Sequence, residues 1–331
     1  MAYGPTPITP AEFLSWLEWR LLGMNPTSAV EAQRLAAIDA ILLAIRLPRL
    51  CVGLLGGASL AVAGVGSQGL FRNPLADPSL IGVTAGAAMG AVTAIAASQA
   101  AFMQPLVELM GVFLLPGAAF IGGAFSVWAI YHFAKVEGRT SVVHLLLAGI
   151  AINALALAYV GLLITRADYG QLREFQYWTL GSLGAVTPRE LLAILPFTAV
   201  PLFIFPLLAR PLNVLLLGEA EAGHLGIEVQ RLKLLVIVLC TAMVGAVVSV
   251  TGVIGFVGLV VPHWVRLLLG PDHKTLIPAS ALVGALLLVS ADWLARLLAS
   301  PAEIPIGIIT ALVGAPVFLL LMRSRRGTAW S

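Results

Sequence analysis

Residues 214–252 read VLLLGEAEAGHLGIEVQRLKLLVIVLCTAMVGAVVSVTG. From Leu232 onward this is a continuous apolar run, without the every-second-residue alternation of a half-buried strand. A helix needs about 20 such residues to cross the ~30 Å of bilayer hydrocarbon. Every backbone amide in that layer must be paired internally, so only helices or closed barrels cross it, and unbroken runs favour helices. The first half of the stretch is different. It is polar, helix-prone and punctuated by Gly218, Gly223 and Gly226, yet it lies between two spans. It is about twice as long as a usual connection between packed helices. Leu216, Ala220, Gly223 and Ile227 recur at three- and four-residue spacing, which predicts a helix of its own over 214–230. A short helix held on a membrane surface is a handle that a soluble partner can push.

Composition agrees with a membrane protein. The 331 residues are 60% hydrophobic and 11% charged, with a mean hydropathy of +0.99, against about 25% charged in soluble domains. The net charge of +3 is small and points to no nucleic-acid partner. Cys51 and Cys240 fall at or inside apolar runs and read as packing residues without a disulfide. Met1 to Pro10 lacks the basic start and apolar core of a cleavable signal.

Residues 1–45 are amphipathic and read as a periplasmic or interfacial segment. Thr9 and Glu12 form a capping-box pattern ahead of a helix over 10–22, whose Phe13, Trp16, Leu17, Trp19 and Leu21 suit a headgroup layer. A second short helix is expected over 28–44. Residues 46–331 read as one transmembrane domain. Nine spans are expected, near 50–70, 79–98, 109–134, 142–165, 190–210, 232–252, 253–270, 276–298 and 304–323. The boundary near Gly252 is the weakest, and 232–270 could equally be one segment with a broken middle. Gly53, Gly57 and Ala61 form one small-residue ridge, and Gly82, Gly86 and Gly90 another, which suit close helix packing in lipid.

With the 211–231 loop in the cytoplasm, all three lysines (Lys135, Lys233, Lys274) fall inside, beside Arg72, Arg139, Arg210, Arg231, Arg266, Arg323, Arg325 and Arg326. The opposite side holds Arg20, Arg34, Arg46, Arg49, Arg166, Arg173, Arg189 and Arg296. That bias orients the chain with a cytoplasmic C-terminus. It also places the N-terminus outside, which predicts a first span upstream of Met1.

Four stretches carry a resemblance: Arg46-Leu-Pro-Arg49; Gln68-Gly-Leu-Phe-Arg-Asn-Pro-Leu-Ala-Asp-Pro-Ser-Leu-Ile-Gly82; Gly255-Phe-Val-Gly-Leu-Val-Val-Pro-His263 with Gly270-Pro-Asp-His273; and Ala291-Asp-Trp-Leu-Ala-Arg296 followed by Pro301-Ala-Glu-Ile-Pro-Ile-Gly307 and Gly314-Ala-Pro316. Together they resemble the permease subunits of ABC importers for vitamin B12, heme and iron-siderophores, the type II importers. The resemblance runs in order from residue 40 to 323. It implies an all-α, ten-helix permease fold, here with nine apparent transmembrane helices, an interfacial N-terminal helix and a cytoplasmic coupling helix. It also implies a homodimer, two ATP-binding cassette subunits that act on ATP and Mg, a periplasmic substrate-binding protein, and heme or a related iron complex as cargo. Leu146–Asn153, Asp168–Leu183 and Pro211–Ala222 look closest to the heme members; siderophore and vitamin B12 cargoes are the alternatives.

On this reading Gly218, Glu219, Ala220, Glu221, His224, Leu225, Gly226, Ile227 and Glu228 make the ATPase-coupling surface. An amphipathic helix lying on lipid is the competing reading, but such a helix wants lysines facing anionic headgroups, and this one carries three glutamates and no lysine. Arg46, Arg49 and Arg296, at outer span ends, could pair bidentately with carboxylates of a docked binding protein; arginines that merely snorkel to the headgroups are the plainer alternative. Arg72–Pro78 is a tight cytoplasmic turn fixed by two prolines. In the outer loop, Arg173 could meet an anionic group such as a heme propionate, with Tyr177 and Trp178 stacking on a flat ring; an interfacial aromatic belt explains the same residues. His132, His144, His224, His263 and His273 show no metal-ligand spacing. The chain carries no G-x-x-x-x-G-K-[ST] phosphate loop and no catalytic constellation, so the expectation is no bound cofactor and energy supplied by a partner. An ion-coupled transporter, the rival class, would want a mid-span carboxylate or histidine relay.

Overall fold

The computed structural model describes residues 8–324, apart from 25, 27, 300 and 301; side chains are described to Leu319. Arg325 and Arg326, invoked above for orientation, lie outside the described residues.

The protein is mostly helical. In chain order the helices are α1 Pro10–Leu22, α2 Ala29–Ala40, α3 Leu47–Phe71, α4 Val83–Ala97, α5 Gln104–Met110, α6 Leu114–Phe133, α7 Val142–Ile164, α8 Tyr169–Leu180, α9 Pro188–Ile204, α10 Ala209–Leu215, α11 Glu219–His224, α12 Val229–Thr251, α13 Val257–Leu269, α14 His273–Ala299 and α15 Ile306–Ser324. A two-residue-per-strand hairpin, β1 Lys135–Val136 and β2 Arg139–Thr140, joins α6 to α7. Among the described residues, five helical segments are long and apolar enough to cross a membrane: Ala101–Phe133, Val142–Ile164, Pro188–Leu215, Val229–Thr251 and His273–Ala299. Val83–Ala97, Val257–Leu269 and Ile306–Leu319 are shorter apolar helices.

The N-terminal helix forms as its capping pattern dictates. The Thr9 Oγ1 accepts the Glu12 N–H at 3.2 Å while the Glu12 carboxylate accepts the Thr9 N–H at 2.8 Å. Arg34 bridges Glu12 at 2.8 Å, and the Trp16 indole donates to Asp39 at 2.9 Å, so α1 folds back on α2. The second helix does not end in a loop before the first span. It runs through a six-residue π-helical stretch, Ile41–Arg46, directly into α3.

α3 is enclosed on all sides from Gly56 to Phe71, and the small-residue ridges explain how. A Cβ at Gly57 would strike the Gly284 carbonyl of α14, and one at Gly64 the Gly258 carbonyl of α13. Gly86 and Gly90 of α4 face Gly122 and Ala118 of α6 in the same way. Backbones thus approach closely and gain dispersion contact that lipid cannot supply.

The weak boundary at Gly252 resolves as a break. α12 ends at Thr251, residues 252–256 are non-helical, and α13 starts where Gly258 packs against Leu60 and Gly64 in the middle of α3. Irregular backbone at that depth is tolerated only when enclosed by protein. Here the Trp178 carbonyl accepts the Val253 N–H, and the Thr251 carbonyl accepts the Ser182 N–H at 2.7 Å.

Candidate coupling and docking faces

Two ends of the bundle gather charged side chains. The end expected to face the cytoplasm, called inner below, holds the turn after α3, the β1–β2 hairpin, α10, α11 and the starts of α12 and α14. The 72–78 turn is as expected: Arg72 is left-handed (φ 49°) and the Asn73 side chain accepts the Leu75 N–H at 2.9 Å.

The single helix expected over 214–230 is two. α10 ends at Leu215 and α11 covers only Glu219–His224, because Gly218 adopts φ 127° and Gly226 φ 82°, conformations that break a helix and that L side chains avoid. The three-and-four periodicity was therefore accidental across Gly218. Around this short helix the expected coupling residues separate. Ala220, Glu221, Gly223, His224, Leu225 and Gly226 are exposed, with Leu225 63% accessible. Ile227 is half-buried, and its N–H closes on the Ala222 carbonyl at 2.9 Å. Glu228 pairs with Arg231 at 2.8 Å in full solvent. Glu219 turns inward to Lys233 at 2.7 Å, and Lys233 is 1% exposed. The sequence reading missed this pair, although a lysine one turn into an apolar run is itself a signal that a carboxylate lies nearby.

Beside α11 opens a cavity of about 900 Å³ lined by Arg72, Arg139, Thr140, Ser141, Glu219, Ala220, Gly223, Ile227 and Glu228. A polar joint closes the other flank: the Asn213 amide donates to Asp272 at 2.6 Å, and its carbonyl oxygen accepts the His273 N–H at 2.9 Å. The Lys274 backbone N–H and then Asn213 hold the Asp272 carboxyl below its ordinary range. Behind it, the Arg266 guanidinium donates to the Gln68 amide oxygen at 2.7 Å, tying α13 to α3.

The opposite end, expected to face outward and called outer below, gathers Arg46, Arg49 and Arg296, the three expected at outer span ends, but they are not equivalent. Arg49 is half-buried and donates through Nε and Nη2 to Asp292 at 3.0 and 2.8 Å and through Nη1 to Glu303 at 2.8 Å. Asp292 also pairs with Arg296 at 3.2 Å. Neither Asp292 nor Glu303 was singled out from sequence, although both lie in the motifs quoted for the resemblance. Arg46 lies across a small cavity of about 50 Å³ from Arg296 and Asp292. Burial, and then the charge of Arg296, draw the Arg46 pKa below its ordinary value.

α8 lies at this same end. Asp168 and Gln171 form its capping box, and the Arg173 guanidinium sits 5.6 Å from the Tyr177 ring centre. Arg173 and Tyr177 are exposed, whereas Trp178 is buried and stacks on Phe175 at 6.4 Å. Its carbonyl accepts from the 181 and 253 amides, so Trp178 packs the break after α12.

Among the described residues no group of His, Cys, Asp and Glu could hold a metal ion, and both cysteines are free.

The FecCD transport family model matches residues 3–324. The chain is 44% identical over 281 residues to the cobalamin import system permease protein BtuC of Halobacterium salinarum, covering 85% of this chain and 73% of that one. It is 44% identical over 289 residues to the hemin transport system permease protein HmuU of Yersinia pestis, covering 86% and 84%. A metal-chelate type ABC transporter solved in an inward-facing conformation superposes with a TM-score of 0.79 at 32% identity, over 95% of this chain and 98% of that one. PsaBC from Streptococcus pneumoniae, at TM-score 0.52 and 20% identity, shares the fold alone.

Proposed function

The chain belongs to the FecCD transport family, and from that premise we propose that it is the membrane permease subunit of an ATP-driven importer in a bacterial inner membrane, with heme as cargo. Nine spans of each copy, paired as a homodimer, enclose the path. Two ATPase subunits grip the inner end, and a loaded periplasmic protein docks on the outer end.

The observation that carries this reading is the inner handle. Leu225 and Glu221 stand exposed on a short acidic helix that is fixed at both ends by glycines and braced from behind. An exposed leucine amid carboxylates suits a groove with an apolar floor and a basic rim. Lipid, with its anionic headgroups, suits it poorly. At the outer end, Arg46 and Arg296 would meet acidic side chains of the docked protein, while Arg49 holds the carboxylates that keep the site in place. Exposed Arg173 and Tyr177 would greet an anionic, flat cargo.

Cobalamin is the second reading, favoured by identity to a cobalamin permease equal to that with the hemin permease. Uptake by the reconstituted importer from mixtures of hemin, cyanocobalamin and a ferric siderophore decides between them. The proposal expects hemin to accumulate and Arg173→Ala to slow it severalfold; preferential accumulation of cobalamin would overturn the heme assignment.

A further inference from the structure

Lys233 is a lysine only 1% exposed, placed where three elements meet. Its Nζ donates to the Thr140 carbonyl and to Glu219 Oε2, each at 2.7 Å. One turn earlier on the same face of α12, Gln230 Oε1 accepts the Thr140 N–H at 2.8 Å. Both backbone polar groups of Thr140 therefore end on α12 side chains. The next residue, Ser141, is the N-cap of α7. Glu219 is the first residue of α11.

A buried charge is tolerable only while its partners stay in place; withdrawing one leaves an uncompensated ion. If α11 shifts, Lys233 and the Thr140 carbonyl must move with Glu219 or the ammonium loses its counter-charge. The low-cost displacement carries α11, the α6–α7 hairpin and the α7 N-cap as one body. The half-exposed Glu219 cannot relax into solvent without paying that cost at Lys233. By contrast, Glu228 and Arg231 pair in open water and can part freely.

We infer that Lys233 is a positioning residue that transmits displacement of α11 to the start of α7, through Glu219 on one side and the Thr140 carbonyl on the other. This rests on the reading of 218–228 as the surface an ATPase pushes. It assigns Glu219 to the inside of the permease, as the permease's own link, and leaves Glu221 and Leu225 to the ATPase.

The test uses the full importer, permease with its ATPase and binding protein, in proteoliposomes. Lys233→Gln and Glu219→Gln each remove one charge, and the half-exposed Glu219 site accepts the swap without a cavity. The expected result is an ATPase that stays bound and import per ATP hydrolysed reduced about fivefold or more. Spin labels on Gly223 and Val143, both exposed and both lining the cavity beside α11, give the readout that a merely structural role would not move. Their separation should be unaffected by nucleotide in the parent and should change with nucleotide in Glu219→Gln. Unaltered import per ATP in both variants would overturn the inference, as would loss of ATPase binding in Glu219→Gln, which would return that carboxylate to the interface. Leu225→Glu is read separately: ATPase binding retained there would overturn the coupling surface itself, whatever the latch variants do.

Discussion

Arg46, Arg49 and Arg296 look alike in sequence and differ in three dimensions. Arg49 makes bidentate contact with a carboxylate that is 7% exposed and bridges a second one 254 residues away. Removing one partner of such a buried pair costs about 3–5 kcal/mol. Arg49→Ala should therefore lower the thermal unfolding midpoint in detergent by clearly more than Arg46→Ala does, whereas Arg46→Ala should weaken capture of the binding protein. Equal midpoints for the two variants would contradict the division of labour. Glycines divide in the same way. Gly64→Ala would press a methyl into the Gly258 carbonyl, with an expected loss of about 2 kcal/mol or more. Gly223→Ala meets nothing within 4 Å and should be neutral or gain up to about 1 kcal/mol from helix propensity. Denaturant unfolding of the two side by side checks both signs. The arginine positions were legible because ends of apolar runs are visible in a sequence. Their partners were not, because Asp292 and Glu303 meet Arg49 only once α3, α14 and the segment before α15 are packed together.

Elements were most legible where local chemistry decides them. Thr9 with Glu12 satisfies orphan amides within three residues, and α1 begins where those residues stand; the same box at Asp168 and Gln171, which starts α8, went unread. The Thr9 backbone N–H, then Arg34, draw the Glu12 carboxyl down to about 2 from 4.5. A carboxyl depressed in the folded state stabilises at pH values above its unfolded pKa and loses that contribution as pH falls through the folded one. The α1–α2 hairpin should accordingly hold above pH 4.5 and loosen between there and pH 2. Hydrogen exchange of α1 amides across that range measures it, with Glu12→Gln removing the dependence. Periodicity misled where a glycine's φ intervened. Nothing in the letters 214–229 reveals that Gly218 turns at 127°, so one helix was read where two occur. Gly218→Ala should strain that turn by about 1–3 kcal/mol and, on the proposed reading, loosen ATPase binding. The break at 252–256 was half legible: the run was long enough for two spans, but the returning segment is fixed by distant carbonyls at Trp178 and by Gly258 against α3.

For the whole molecule, the bundle offers a rigid enclosed helix, a braced inner handle and a carboxylate-locked outer rim. Among the described residues Asp292 is the one buried carboxylate and it sits at the outer rim; the buried bases are Lys233 and His273 toward the inner side and His263 within α13. Such an arrangement transmits a push better than it carries protons. The account therefore rests on external work applied to α11. Its most direct test is cargo uptake into proteoliposomes holding this permease with and without its ATPase subunits, under ATP or under an imposed proton or sodium gradient. The account predicts accumulation only when ATPase and ATP are both present, and none from a gradient alone. Gradient-driven uptake by the permease without the ATPase would contradict it.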